Sequence, residues 1–156
     1  MRERSSALQR FAYLVTRDAE DARDAVQDAL IGLYPRWDKV SARGGVDAYV
    51  RRSIVNAAIS TWRHERRSTP VGDPEVVART DRERSLEDDF VDAEVAWKIC
   101  GDLPPDQRAA VVLRFYHDYT YAQVAAVLDC REATARSHVH RALTRLRTRL
   151  VGDDHD

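Results

Sequence analysis

Residues 120–150, TYAQVAAVLDCREATARSHVHRALTRLRTRL, carry the pattern that decides the fold of this chain. Apolar residues recur at the spacing of one helical face on both sides of a short interruption at 129–131. They are Val124, Ala125 and Leu128 before the interruption, and Val139, Leu143, Leu146 and Leu150 after it. The pattern predicts two helices joined by a tight turn, a helix-turn-helix.

The polar side of the second helix groups side chains that donate hydrogen bonds to bases and phosphates. They are Arg136, Ser137, His140 and Arg141. Residues 120–150 hold six arginines against Asp129 and Glu132, a local charge of +4 on a chain whose total is −1. This face is suited to a DNA major groove. The alternative is a solvated polar face on an ordinary helical hairpin.

Composition describes a soluble globular protein of 156 residues, 44% apolar and 33% charged, with room for one medium domain or two small ones. No apolar run approaches the ~20 residues of a membrane span, and the N-terminus lacks the apolar core of a signal peptide. We therefore expect a cytoplasmic protein without membrane insertion. Cys100 and Cys130 have no ligand-spaced partners, so we expect core cysteines, no metal site and no cofactor.

The residue pattern of the N-terminal part predicts three helices. The first covers 5–16, and the second begins near Asp18 and carries Asp21, Asp24 and Asp28 on one flank. Pro35 should end or kink the second helix, and 43–45 should form a loop. The acidic flank has an alternative explanation, because acids near a helix N-terminus also interact favourably with the helix dipole.

The third predicted helix, 47–67, combines aromatic and basic residues. They are Tyr49 and Trp62 with Arg51, Arg52, Arg63, Arg66 and Arg67. Aromatic rings stack on unpaired bases while cations hold the phosphate backbone, so the combination suits single-stranded or melting DNA. The alternative is that the aromatic residues pack inside the bundle while the arginines face water.

Residues 68–95 differ in character, with nine acids against three arginines and little periodicity. We predict an all-α protein of two small helical bundles joined by a flexible acidic linker. The predicted domains are 1–67, the linker 68–95, and the helix-turn-helix domain 96–151. Within the last, we predict a helix near 90–99, another from Pro105 to about Tyr116, and a capping box formed by Thr120 and Gln123.

The order of these motifs resembles the extracytoplasmic-function sigma factors of bacterial RNA polymerase, SigE-like members of the sigma-70 superfamily. Residues 21–30, DARDAVQDAL, are similar to the family helix that docks on the polymerase. Residues 103–108, LPPDQR, followed by LRFY at 113–116, are similar to the start of the family's fourth region. The resemblance implies polymerase-binding roles for Asp21, Asp24, Gln27, Asp28 and Leu30.

Two further motifs resemble the family's DNA-reading segments. Residues 48–57, AYVRRSIVNA, are similar to the segment that opens and reads the minus-ten element, and Asn56 matches an Asn of the pocket for a flipped-out base. The resemblance implies minus-ten contacts for Tyr49, Arg52, Asn56, Trp62 and Arg63. It implies minus-thirty-five contacts for Thr134, Arg136, Ser137, His140 and Arg141.

The resemblance implies RNA polymerase core, promoter DNA and an anti-sigma factor as partners, and a function in promoter recognition and melting rather than an enzyme activity. Two other classes remain open at this stage, a stand-alone helix-turn-helix repressor and a helical protein-binding adaptor.

The turn departs from the family pattern. Asp129 and Ala133 replace glycines that are common there and Arg131 replaces a capping Ser, which should weaken the turn and the N-cap by about 1 kcal/mol.

Overall fold

The computed structural model describes residues 2–68, 98 and 100–153, and every regular element within these ranges is helical. The helices are α1 (Arg2–Thr16), α2 (Ala19–Leu33), α3 (Trp37–Ala42), α4 (Val46–Ser68), α5 (Pro105–Val111), α6 (Tyr121–Leu128) and α7 (Glu132–Asp153). Single 3-10 turns cover Tyr34–Arg36 and Cys100–Asp102, and a π-helical turn covers Val112–Tyr116. The predicted all-α class is confirmed.

Local sequence signals account for where the helices begin. Asp18 caps α2, since its carboxylate accepts hydrogen bonds from the backbone N–H groups of Glu20 and Asp21 at 2.9 and 3.0 Å. Thr120 and Gln123 form the predicted capping box at α6, with reciprocal side-chain to backbone bonds of 3.1 and 2.8 Å. Both caps satisfy backbone donors that a helix N-terminus otherwise leaves unpaired.

The connection between α2 and α4 contains a helix that the sequence did not predict. Pro35 lies just beyond the end of α2, as expected, but the chain re-forms a short helix at Trp37–Ala42 before the loop. The loop follows the prediction, with Gly44 at φ +68°, a conformation that side-chain-bearing residues rarely adopt.

The buried core runs continuously through both helical modules. In the N-terminal module α1, α2 and α4 pack on one another, and in the C-terminal module α7 packs on α5 and α6. Helix α4 also packs on α5 and α6, so Phe11 and Ile54 belong to the same buried cluster as Leu113, Val124 and Val139. A smaller cluster contains Cys100, Leu103, Val111 and Ala142. The sequence predicted two bundles without indicating that their cores meet.

Arg108, in the LPPDQR motif, is a buried cation that ties the segments around α5 together. Its side chain is 5% exposed and donates hydrogen bonds to the backbone carbonyls of Cys100 at 3.1 Å, Leu103 at 2.7 Å and Val15. Burial, together with the positive charge of Arg17, lowers the pKa of Arg108 to about 10, so the guanidinium stays charged at neutral pH. A carbonyl at the end of α1 is thereby held by a residue of the C-terminal module.

The predicted acidic linker and most of the predicted helix at 90–99 lie outside the described residues. Within the described residues, no helix is both long and apolar enough to cross a membrane. The same residues contain no cluster of His, Cys, Asp or Glu suited to hold a metal ion. Burial raises the pKa of the Cys100 thiol, which is in keeping with the predicted core cysteine.

Candidate nucleic-acid interface

The turn of the helix-turn-helix uses Asp129 in the position that often carries glycine. Asp129 adopts the left-handed conformation at φ 53°, and the backbone N–H of Cys130 bonds to the carbonyl of Ala125 at 3.1 Å. Asp tolerates this conformation better than most side-chain-bearing residues. After the turn, the carbonyl of Arg131 accepts a hydrogen bond from the backbone N–H of Ala135, which places Arg131 at the N-cap of α7.

Burial of one side of α7 sets which side faces solvent. Ala135, Val139 and Ala142 are buried with at most 1% exposure, and Leu143 and Leu146 pack beside them, as the apolar repeat predicted. The opposite side presents five exposed residues, which we call the recognition face. They are Thr134, Arg136, Ser137, His140 and Arg141. Their common orientation follows from the helical period.

Arg136 is pre-oriented by neighbours that the sequence pattern did not reveal. Its guanidinium pairs with Glu132 at 3.0 Å and lies over the ring of Tyr121, 4.7 Å from the centroid. Arg114 also lies over the Tyr121 ring at 4.5 Å and donates to the carbonyl of Tyr119 at 2.9 Å. Tyr121 therefore connects the recognition face to the π-helical turn. Its aromatic residue type was the only sequence signal for this contact.

Hydroxyl groups on and beside the recognition face make local hydrogen bonds. Ser137 Oγ donates to the carbonyl of Ala133 at 3.1 Å, and Thr144 Oγ1 donates to the carbonyl of His140 at 2.9 Å. Such bonds to the preceding turn leave the hydroxyl oxygen available as an acceptor. The face thus offers cationic donors from arginine beside hydroxyl and imidazole groups, which is the chemistry used on base edges and phosphates.

The residues predicted to contact minus-ten DNA lie along α4 but differ in what surrounds them. Asn56 and Arg63 are exposed, and the half-buried Trp62 lies beneath the guanidinium of Arg66 at 4.5 Å. Arg52 instead donates to the carbonyl of Ala126 in α6 at 2.6 Å. The five predicted residues thus share a helix, but not a single open face.

Tyr49 has a structural role within the N-terminal module. Its hydroxyl donates to the carbonyl of Gly32 at 3.3 Å and accepts from Arg36 at 3.4 Å. The ring therefore joins α4 to the end of α2. This contact is the bundle-packing alternative that the sequence left open for the aromatic residues of this helix.

A partly buried ionic and aromatic cluster beside Arg52 was missed by the sequence-based reasoning. Arg51 is 5% exposed, pairs with Asp47 at 2.9 Å, and lies between the rings of Phe11 at 4.9 Å and Tyr119 at 5.3 Å. The hydroxyl of Tyr119 donates to the other carboxylate oxygen of Asp47. Burial, followed by this hydrogen bond, raises the pKa of Tyr119. The i, i+4 spacing of Asp47 and Arg51 was visible in the sequence, but their aromatic neighbours come from elsewhere in the chain.

His117 lies in the same cluster, with its ring 5.9 Å from that of Phe11 and 6.2 Å from that of Tyr119. Burial, reinforced by the positive charges of Arg51 and Arg10, lowers the pKa of His117 to about 4. The imidazole is therefore neutral at physiological pH and serves as an aromatic packing group. Nothing in the sequence distinguished it from an exposed histidine.

The acidic flank of α2 is exposed and adjoins an apolar surface. Asp24, Gln27 and Asp28 face solvent, and Asp21 is half-buried at the N-terminal end. Large apolar side chains continue this surface to α3. They are Leu30, Ile31, Tyr34 and Trp37, with exposed fractions of 47%, 64%, 85% and 50%. We call this the α2 apolar surface, and of its members only Leu30 had been predicted as a binding residue. Contiguous exposed apolar groups of this size are typical of protein-binding surfaces.

Both halves of the chain match known protein families. Residues 1–68 match the family described as Sigma-70 region 2, and residues 99–146 match Sigma-70, region 4. The RNA polymerase sigma-E factor of Streptomyces avermitilis is 34% identical over 100% of this chain and 86% of its own length. The ECF RNA polymerase sigma factor SigM of Mycobacterium tuberculosis is 32% identical over 93% of this chain and 71% of its own length.

A solved structure has a similar fold. It is the sigma factor RpoE of Bartonella quintana in complex with the anti-sigma factor NepR, with a TM-score of 0.65 and 25% identity over 93% of this chain and 90% of that one. The fold and the relatives together place the protein among the regulatory subunits of transcription. The chain belongs to the sigma-70 family of RNA polymerase sigma factors, in its extracytoplasmic-function, SigE-like group.

Proposed function

We propose that this protein directs RNA polymerase core to specific promoters and initiates transcription there, by contacting duplex DNA with α7 and melting DNA with α4. The observation that carries the proposal is the presence, on one chain, of an exposed cationic recognition face and an exposed α2 apolar surface flanked by acids. A stand-alone repressor would use the recognition face but leaves the second surface without a function. A protein-binding adaptor would use the second surface but leaves the recognition face without one.

The polymerase-binding role belongs to α2. Asp21, Asp24, Gln27, Asp28 and Leu30 are the residues proposed from the motif, and we add the rest of the α2 apolar surface to them. Apolar groups surrounded by charges are the usual composition of an interface core and rim. The acids add electrostatic selectivity for a basic partner helix.

The DNA-binding roles belong to α4 and α7. On α7, the recognition face enters the major groove of the minus-thirty-five element, with arginines at guanines or phosphates. On α4, Asn56, Trp62 and Arg63 contact the melted minus-ten strand together with Arg52, through stacking and phosphate contacts. The Tyr49 hydroxyl bonds the backbone of α2 and so holds α2 against α4. Of the five residues proposed on α4, Tyr49 is therefore the one whose surroundings give least support to a DNA contact.

Linking two modest DNA contacts on one chain raises the effective concentration of the second once the first has formed. The proposed domain division, with a region 2-like module at 1–67, a connecting segment at 68–95 and a region 4-like module at 96–151, gives each contact its own module. The similar structure is a complex with an anti-sigma factor, and we propose a partner of that kind here as well. The proposed function is regulatory and assigns no catalytic residue to this chain.

Run-off transcription tests this function. Purified core polymerase is incubated with and without the protein on a promoter from the protein's own genomic neighbourhood. We expect transcripts that need both the protein and the promoter. Their absence, with a protein of native helicity, would contradict the proposal.

A variant of α2 separates the polymerase contact from DNA binding. Asp24→Arg combined with Gln27→Ala changes only exposed side chains, so the fold should be retained. We expect weaker co-purification with core polymerase and unchanged duplex affinity. Arg43→Ala, in the exposed loop after α3, is the matched surface control and should bind core polymerase normally.

A further inference from the structure

The ring of Tyr121 lies at the start of the helix-turn-helix, beside the recognition face. Tyr121 is the first residue of α6 and follows Thr120, whose capping box with Gln123 fixes the backbone at this point. The ring is half-buried and packs against the core, and this packing restricts its rotation. A side chain that contacts the ring is therefore held at a defined place relative to α6.

Two arginines from other segments contact this ring. Arg114 of the π-helical turn lies over it, 4.5 Å from the centroid, and is itself fixed by a 2.9 Å hydrogen bond to the carbonyl of Tyr119. Arg136 of the recognition face also lies over it, 4.7 Å from the centroid. The electron-rich face of a tyrosine ring attracts a guanidinium, and more strongly where water is partly excluded. Tyr121 therefore links Arg136 to a part of the module outside the recognition helix.

Glu132 restrains Arg136 a second time and disfavours one class of contact. Arg136 Nη2 donates to Glu132 Oε1 at 3.0 Å, one turn earlier on α7. The two side chains are 60% and 51% exposed, so this ion pair by itself would hold Arg136 only weakly. A carboxylate beside the guanidinium repels an approaching phosphate but not a neutral base edge. The ion pair therefore favours a base contact for Arg136.

The restrained guanidinium keeps the donors that a base contact needs. Arginine has five N–H donors in one plane, and the bond to Glu132 uses one of them. A ring over the guanidinium covers its face and leaves the edge with the remaining donors open. A guanine edge accepts two parallel hydrogen bonds from arginine, which requires a defined orientation of that plane. Arg136 also lies near the N-terminus of α7, the part of a recognition helix that contacts base edges.

We propose that Tyr121 is a positioning residue for promoter recognition, which holds the guanidinium of Arg136 in the orientation that reads a guanine of the minus-thirty-five element. This inference rests on the proposed function, because it assumes that the recognition face enters the major groove. Tyr121 acts through Arg136, and its ring is the part that matters. The ring reduces the conformational freedom that Arg136 loses on binding the base, so it strengthens the base contact without adding a DNA contact of its own.

Positioning of this kind has a consequence that a purely structural role does not have. Loss of the ring removes no charge, so the number of neutralised phosphates and the salt dependence of binding stay unchanged. The loss weakens the base contact alone, so the preference for guanine over other bases falls at one position. A variant that merely destabilised the module would weaken binding to every duplex by the same factor.

The test compares Tyr121→Leu with Tyr121→Phe in the full-length chain. Leucine removes the aromatic ring but is apolar and a good helix former, and phenylalanine keeps the ring without the hydroxyl. The probes are fluorescein-labelled duplexes with the upstream part of the promoter used for run-off transcription. One has the natural sequence, and in the others each base pair of the minus-thirty-five element is replaced in turn. Fluorescence anisotropy over a salt series gives dissociation constants and salt slopes, and circular dichroism gives the helicity.

The base pair that Arg136 reads is the one whose replacement no longer weakens binding once Arg136→Ala is introduced. At this base pair we expect Tyr121→Leu to reduce the discrimination about fivefold with an unchanged salt slope. Tyr121→Phe should keep most of the discrimination. Full discrimination in the leucine variant, or equal losses in the leucine and phenylalanine variants, would overturn the inference.

Double-mutant cycles show whether Tyr121 acts through Arg136. In an Arg136→Ala background, Tyr121→Leu should have no further effect on duplex affinity, because the side chain that it positions is gone. Arg141→Ala is the matched control, since the cations over the Tyr121 ring, among the described residues, are Arg114 and Arg136. The effects of Arg141→Ala and Tyr121→Leu should therefore add. Additive effects in both cycles would overturn the inference, because Tyr121 would then act on DNA or on the fold without Arg136.

Tyr121→Met takes the place of Tyr121→Leu if the leucine variant loses helicity, because the flexible methionine side chain fills irregular space without an aromatic face. The same losses are expected for it, and full discrimination would again contradict the inference. Failure of the proposed function looks different, since the wild type would then bind the natural and the replaced duplexes equally.

Discussion

Helices α4 and α7 both carry proposed DNA contacts, yet they present them in opposite ways. On α7 the recognition face is open to solvent, and Arg136 is held in place by Glu132 and Tyr121 of its own module. On α4 the neighbouring Arg51 is buried, and Arg52 is bound to α6. The proposed duplex contact is therefore exposed as a whole, whereas of the proposed contacts on α4 Asn56 and Arg63 are exposed and Arg52 is bound to α6.

The largest expected effect concerns Arg108, which joins the two modules. Arg108→Met should lower the free energy of unfolding by about 3 kcal/mol, because it leaves the carbonyls of Cys100, Leu103 and Val15 buried without their donor. Urea unfolding followed by circular dichroism measures this. Arg23→Met, at an exposed position of α2, should change stability little, and equal losses for the two variants would contradict a special role for Arg108.

The next effect separates the two helices by the DNA they bind. Arg141→Ala should weaken binding of promoter duplex to the free protein by about 1 to 3 kcal/mol if it contacts a base, or lower the salt slope by about 1 if it contacts a phosphate. Arg52→Ala should leave duplex binding unchanged, because Arg52 is held against α6. Fluorescence anisotropy over a salt series measures both. Equal losses of duplex affinity in the two variants would show that α4 and α7 do not differ in duplex binding in the free protein.

A smaller effect is the dependence of stability on pH through His117. Its pKa is about 4 in the folded protein and ordinary when unfolded, so the unfolded chain binds the proton first as the pH falls. The stability from neutral His117 is complete above about pH 6.5 and is lost progressively as the pH falls towards 4. His117→Phe keeps an aromatic ring but cannot titrate. Its melting temperature should fall by a few degrees less than that of the wild type between pH 7 and pH 4.5, as measured by thermal unfolding.

Parallel pH profiles for the wild type and His117→Phe would show that His117 is solvated in the native state. The groups that face this imidazole include Arg10, Arg51 and Asp47, and the carboxylate opposes the effect of the two cations. Carboxylates common to both proteins also protonate in acid, so only the difference between the two proteins reports on His117.

The smallest effect is at the N-cap of α7. Arg131→Ser should raise the free energy of unfolding by about 1 kcal/mol, because a serine oxygen can accept from a backbone N–H of the first turn. Arg131→Ala removes the same charge without supplying an acceptor and should bring no such gain. Chemical unfolding of the two variants gives the difference. A stability gain of equal size in both would attribute the effect to charge rather than to capping.

Features governed by neighbouring residues could be predicted from the sequence. The apolar repeat set which side of α7 is buried, and so predicted the exposed recognition face. The Thr120–Gln123 capping box and the end of α2 before Pro35 were predicted in the same way. The short helix α3 was missed because its Trp37–Ala42 segment is too short to show a helical period.

The candidate site was only partly predictable for a related reason. A residue type at a family position indicates a chemical role, but it does not tell whether the side chain is free to act. Asn56 and Arg63 are exposed, while Tyr49 is used to join α4 to α2. The α2 apolar surface was also missed beyond Leu30, since an apolar residue next to a buried stripe is ordinarily read as core.

The sequence by itself determined the helices, their caps, the buried side of each helix and the membership of the sigma factor family. Only the tertiary structure decided that the two modules pack together over α4. The contacts responsible join residues 74 positions apart for Arg52 and Ala126, 72 for Tyr119 and Asp47, and 93 for Arg108 and Val15. Hydrophobic periodicity repeats within one helix, so it shows that a face is covered but not which distant segment covers it. The partner is chosen by shape and by the pairing of buried polar groups, and these exist only once the chain has folded.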